Sequence, residues 1–256
     1  MLTHNAKGHY QFLSGIDPYS CGVVADHGYE IVHVTLNRPI PWRNGFERID
    51  AYLQAQNLAR TALCAIQLRC PTPFTMDEFI AFNRGYCEVL QGWGLYHDNL
   101  NPLARTNVAP LVDAPETSML YAFSYIRPCD TATRPTFIIA GAGELLEGAL
   151  NPEGIVRRGE CSAAAMKEKA AYVIQVMEDR LLGLGGTWEL VNRVNIYTVH
   201  PLNGLIEDIV LPKLGNAKQH GIHWYQARPP VVDIEYEMDM RGVAQELYLD
   251  TDLDSI

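Results

Sequence analysis

Phe137-Ile138-Ile139-Ala140-Gly141-Ala142-Gly143 reads as a buried strand, and it restarts a pattern that the chain has already run once. Upstream, Gly15-Ile16-Asp17-Pro18-Tyr19-Ser20-Cys21-Gly22-Val23 leads into a strand-like run, Glu30-Ile31-Val32-His33-Val34-Thr35. A helix pattern, a strand, a second helix and Ala104-Arg105-Thr106-Asn107-Val108 follow. After Phe137 come a helix, a strand, a shorter helix and the terminal Asp233-Ile234-Glu235-Tyr236-Glu237-Met238-Asp239. Each half thus reads strand, strand, helix, strand, helix, strand, strand. Helices packed on one face of a mixed sheet make an α+β layer, and the open sheet face then requires a partner.

The halves meet at Pro128-Cys129-Asp130-Thr131-Ala132-Thr133-Arg134-Pro135, a polar stretch with proline at both ends. The expected division is a first unit at 1–128, a linker at 129–135 and a second unit at 136–256.

Local signals place the elements. Phe46 to Ile66 is rich in helix formers, with a strand already starting near Leu63. Thr75 followed three residues later by Glu78 is a capping-box pattern, and a helix to about Leu90 ends at Gly92 and Gly94. Short strands are expected near 106–112 and 119–126. Met166, Ala170, Val173, Met177, Leu181 and Leu184 recur at helical steps behind Ser162, a plausible N-cap. A strand over 190–198 and a short, interrupted helix over 201–214 follow. Val231 to Met240 alternates apolar residues with Asp233, Glu235, Glu237 and Asp239, which predicts a strand whose acidic face meets water, cations or a partner.

Composition narrows the function. Of the 256 residues, 48% are hydrophobic and 20% charged, as in an ordinary globular protein. A net charge of −10 argues against nucleic acid as a partner, which demands a basic footprint. No apolar run approaches the ~18 residues that would cross a membrane. The six cysteines show no C-x-x-C pair, so free thiols and a cytoplasmic setting are expected. Gly141-Ala142-Gly143-Glu144 lacks the lysine of a phosphate loop, and no G-x-S-x-G elbow is present.

Taken in order, several segments resemble the RidA/YjgF superfamily, small chorismate-mutase-like domains that form trimers with ligand clefts between subunits. Ile16-Asp17-Pro18-Tyr19-Ser20 looks like that family's G-P-Y-S opening, and Ala104 to Val108 like its A-R-S-C-V element. Phe137 to Gly141 is similar to its F-V-S-G strand, and Asp233 to Glu237 to its V-E-I-E-A ending. The order and spacing carry the resemblance, which covers both halves as two tandem, divergent RidA-like domains.

The resemblance implies hydrolysis of a small imino or enamino carboxylate, of the 2-iminoalkanoate or 2-aminomuconate type, to a keto or enol acid and ammonia. It implies no cofactor and a homo-oligomer, a homotrimer or another three-fold assembly. Arg105 matches the arginine that grips the substrate carboxylate, Tyr19 the tyrosine near the site and Gly141 the ligand-contacting glycine. Asn107 stands where the family has cysteine. Glu235 fits the water-orienting glutamate, whose counterpart in the first half falls near Leu120 or Tyr121. In the second half the arginine position falls near Gly221 and the cysteine near His223, with Arg228 a few residues on. Because Arg105 and Glu235 come from different halves, a working site is expected where unlike domains meet.

Chemistry gives each residue two readings. Arg105 is a bidentate carboxylate clamp or one side of an ion pair. Glu235 holds an attacking water or is a solvated strand carboxylate. His223 shuttles protons or hydrogen-bonds at an interface. Tyr19, Tyr197 and Trp224 line a cleft or pack in a core. His220 near His223 lacks a third ligand at metal-binding spacing, so no metal is expected. Two rival functions stay open: a chorismatase-like enol-ether hydrolase, and a non-catalytic protein that binds small carboxylates.

Overall fold

The computed structural model describes residues 1–149 and 151–250. Two mixed sheets lie face to face, each with helices on its outer side. The first sheet has the order β1 (Leu2–Asn5), β2 (Tyr10–Leu13), β3 (Gly22–Ala25), β8 (Phe137–Gly143), β12 (Glu237–Gly242), β9 (Arg193–Tyr197), β10 (His223–Tyr225). The second has the order β11 (Ala227–Arg228), β6 (Ala104–Pro110), β5 (Leu63–Arg69), β7 (Met119–Pro128), β4 (Tyr29–Pro41), β13 (Gln245–Leu249). Three layers of apolar side chains result. Helix α3 (Ala163–Gly183) packs on the first sheet through Met166, Ala170, Val173 and Met177. Helices α1 (Trp42–Ala55) and α2 (Met76–Gly92) cover the second through Ile49, Leu53, Tyr86 and Leu90. Between the sheets lie Tyr10, Phe12, Val23, Ile31, Ala104, Ile126 and Ile138. The open sheet face expected to need a partner is therefore covered, at least in part, within the chain.

Strands cross between the units. β3, from the first thirty residues, pairs antiparallel with β8, so β1–β3 complete the sheet of the second half. In return β13 runs parallel to β4, and β11 pairs with β6, so the end of the chain widens the sheet of the first half.

Most local signals map directly. Thr75 and Glu78 form the reciprocal capping box at the start of α2, and Ser162 caps α3 by accepting from the Ala165 N–H. The segment after β9 holds a π-helical turn, Ile206–Val210, within the expected short helix. The strand predicted over 231–240 starts late, at Glu237. Asp233 sits at φ +72°, which breaks the extended run. The N–H groups of Glu235 and Tyr236 then donate to the Glu144 carboxylate, at 2.6 and 2.9 Å, instead of to a neighbouring strand. The four acids consequently separate. Asp233 pairs with Arg158 at the surface, Glu235 is partly exposed, and Glu237 and Asp239 are buried.

Candidate active site

A cavity of about 320 Å³ opens where the two units meet, with Tyr19, Arg105, Asn107, Gly141, Arg180 and Glu237 among its lining residues. That volume suits a small organic acid. Met76, Phe79, Leu145 and Ile234 supply apolar wall.

The first unit brings Arg105 in on β6. Its side chain is 3% exposed and lies near the rings of Tyr19 and Tyr86, with its guanidinium carbon 4.8 Å from each ring centroid. The ring faces attract the guanidinium through cation–π contact and help fix its position. Tyr19 is held in place by its loop. The Ser20 N–H donates to Leu103 O at 2.8 Å, and Asn101 Nδ2 donates to Pro18 O at 2.8 Å. The G-I-D-P-Y-S segment is thereby stapled to the strand that carries Arg105.

The second unit supplies Gly141, Arg180 and Glu237. A Cβ added at Gly141 would run into Glu237 Oε1 and lie 3.1 Å from Thr106 Cγ2. Only glycine lets β8 lie this close to the carboxyl, and its N–H donates to Thr106 Oγ1 at 3.1 Å, tying the two units together. Arg180 reaches in from α3, donating through Nη1 to Ala140 O at 3.2 Å and through Nη2 to Glu147 at 3.3 Å.

Glu237 is 4% exposed. Burial pushes its pKa well above the usual carboxylate range; the neighbouring charges of Asp239 and Glu144 push the same way, while Arg105 and Arg180 pull it down without reversing the shift. Asp239 is itself well satisfied, accepting from Gln67 at 3.2 Å, Asn195 at 2.7 Å and Tyr197 at 3.0 Å. Burial also raises the Tyr19 hydroxyl, against the pull of Arg105 and Arg180. Buried polar atoms without a protein partner gather around the same cavity: Arg105 Nη1, both amide atoms of Asn107 and Arg180 Nε. Such atoms are costly unless something else satisfies them. They mark a place for a polar ligand.

Of the residues singled out in the sequence, Tyr19, Arg105, Asn107 and Gly141 line this cavity. Glu235, His223 and Arg228 do not. Glu235 bonds His200 Nε2 at 2.7 Å and Arg228 at 3.3 Å. His223, on edge strand β10, packs its ring against Arg193; burial and then the Arg193 charge lower its pKa. Two further lining residues, Glu237 and Arg180, are not among the sequence candidates. Glu237 was in plain view two places beyond Glu235, on the same face of an ideal strand. Arg180, in the last turn of α3, belongs to no motif that would mark it as a site residue.

The two-unit architecture also occurs in a crystallised chorismatase. The match has a TM-score of 0.52 at 10% identity and covers 90% of this chain and 79% of that one. The likeness shows a shared α+β fold, consistent with the expectation of two tandem RidA-like units. Within that fold the protein is a deaminase, a hydrolase acting on C–N bonds. It belongs to the family described as 2-aminomuconate deaminase CnbZ, which matches residues 2–247. A 2-amino-5-chloromuconate deaminase of Comamonas testosteroni is 38% identical over 248 residues, covering 95% of this chain and 97% of that protein. Among the described residues no helix is long and apolar enough to cross a membrane.

Proposed function

We propose that the protein hydrolyses an unsaturated amino dicarboxylate of the 2-aminomuconate type, with Glu237 as proton donor and acceptor. One observation carries this reading: a buried carboxyl with a raised pKa shares a cavity with two guanidiniums. Arg105, with its unpaired Nη1, grips the carboxylate beside the reacting carbon. Arg180, with its unpaired Nε, holds the second carboxylate. The Asn107 amide bonds the amino group or the attacking water. Tyr19 and Phe79 flank the conjugated chain.

Burial favours the protonated form of Glu237. Glu237 delivers its proton to the enamine carbon, and the C=N bond of an iminium forms. Water adds to the iminium carbon and returns a proton to Glu237. The carbinolamine then takes that proton on nitrogen, the C–N bond breaks and ammonia leaves. The last O–H proton goes back to the carboxylate, leaving a keto or enol acid and the acid form of Glu237. The tandem units, at 1–128 and 136–256, each contribute half of this site. Assembly as a three-fold homo-oligomer and a cytoplasmic setting remain part of the same proposal, the latter in keeping with free cysteines throughout.

Ammonia release tests the reading. The protein is expected to turn over 2-aminomuconate far faster than a short 2-imino monocarboxylate. Equal rates on both, or pyruvate released from an enol ether without ammonia, would remove it.

A further inference from the structure

Outside the cavity, three donors of different kinds converge from three separate segments. Cys161 precedes α3, His200 follows β9 and Glu235 precedes β12. One potential ligand atom from each lies within 4.8 Å of the others. We propose that Cys161, His200 and Glu235 form a site for a borderline-soft divalent cation of the zinc type, with a fourth position open to water.

The donor set fits that class. Thiolate, imidazole and carboxylate are the common zinc ligands, and together they disfavour the hard cations that demand oxygen alone. Zinc bonds of ~2.0–2.3 Å place tetrahedral ligand atoms roughly 3.5 Å apart, so small side-chain rotations close the set. The supporting shell is already built. Thr198 Oγ1 donates to Glu235 O at 2.7 Å and accepts from the His200 N–H at 3.2 Å, fastening the two ligand-bearing backbones to each other. The Glu235 N–H is fixed at 2.6 Å by the buried Glu144 carboxylate. Ligands oriented in this way need little reorganisation to bind. The opposing feature is Arg228, whose guanidinium lies 3.3 Å from Glu235 Oε2; its side chain is 44% exposed and free to swing away. Sequence spacing alone gives no sign of this group, because its members lie 39 and 35 residues apart, 161 to 200 and 200 to 235.

A bound cation would tie the start of α3, the helix carrying Arg180, to the segment that leads into Glu237. Binding must displace the Cys161 proton.

Cobalt(II) titration of the full chain tests the site. One equivalent is expected to give thiolate-to-cobalt charge-transfer absorption, which zinc then displaces. Cys161→Ser should abolish the band, and His200→Gln should weaken binding at least about tenfold. Arg228→Gln should tighten it by removing the competing charge. Metal-free melts that match wild type show that the variants fold. No stoichiometric binding by wild type, or a charge-transfer band that survives Cys161→Ser, would overturn the proposal.

Discussion

The proposed chemistry rests, residue by residue, on Glu237 and its surroundings. Glu237→Gln keeps shape and hydrogen-bonding capacity but removes the proton; kcat is expected to fall about 10²–10⁴-fold, the usual worth of a positioned acid or base. With Glu237 as the proposed acid, activity should decline as pH climbs through the raised pKa. Asp239→Asn removes a charge that helps hold Glu237 protonated, so that alkaline limb should move to lower pH. Stability follows the same linkage. The folded state keeps a proton that the unfolded chain has shed, so this contribution is full below the unfolded pKa of about 4.3 and is lost as pH rises through the folded value. Urea unfolding at alkaline pH should therefore find Glu237→Gln more stable than wild type. At the arginines, loss of a charged hydrogen bond costs about 1.5–3 kcal/mol, or roughly 10–200-fold in kcat/KM. Arg180→Gln should show that loss on dicarboxylates and spare monocarboxylates, whereas Arg105→Gln should impair both.

Elements bring these residues together, and here sequence legibility divides. The capping box of α2, the Ser162 cap of α3 and the buried strand around Phe137 rest on local signals that residue type and spacing carry, whereas Tyr19, Arg105 and Gly141 are singled out by the family resemblance. The choice between Glu235 and Glu237 rests on neither. An ideal strand puts both on one face; the left-handed turn at Asp233 and the Glu144 clamp separate them, and the clamp joins residues 91 and 92 apart in sequence. That clamp is itself buried. Glu144 and Lys169 are 0% exposed and 3.0 Å apart, and Lys169 also donates to Val156 O at 2.9 Å. Removing one partner strands a charge, at a cost of about 3–5 kcal/mol. For a chain of this size, Lys169→Met should therefore lower Tm by about 6–20 °C by calorimetry. Gly141→Ala pushes a methyl against the Glu237 carboxyl; a displacement near 1 Å can cost about 10²-fold in kcat, while the effect on KM should be smaller.

At the scale of the whole molecule, the exchanged strands make the units interdependent. Residues 1–128 and 136–256 expressed apart each lose strands from a sheet, so neither alone should show the cooperative melt of the intact chain, and mixing them should restore it. Glu246 reinforces the exchange from β13 by accepting from Arg193 and Arg241 across the two sheets. Burial would raise its pKa, but the Arg193 hydrogen bonds and the Arg241 charge hold it down to about 2. Its stabilisation is thus present above the unfolded value of about 4.3 and fades as pH falls toward about 2, a slope that Glu246→Gln should flatten. The cavity lining is drawn from both units: Arg105 and Tyr19 from one, Glu237 and Arg180 from the other. The most direct measurement is therefore the steady-state release of ammonia from 2-aminomuconate by Glu237→Gln beside wild type, at neutral pH and with matched melting curves. Loss of at least about a hundredfold in kcat is the expected result. Turnover at the wild-type rate would contradict a catalytic acid at that position.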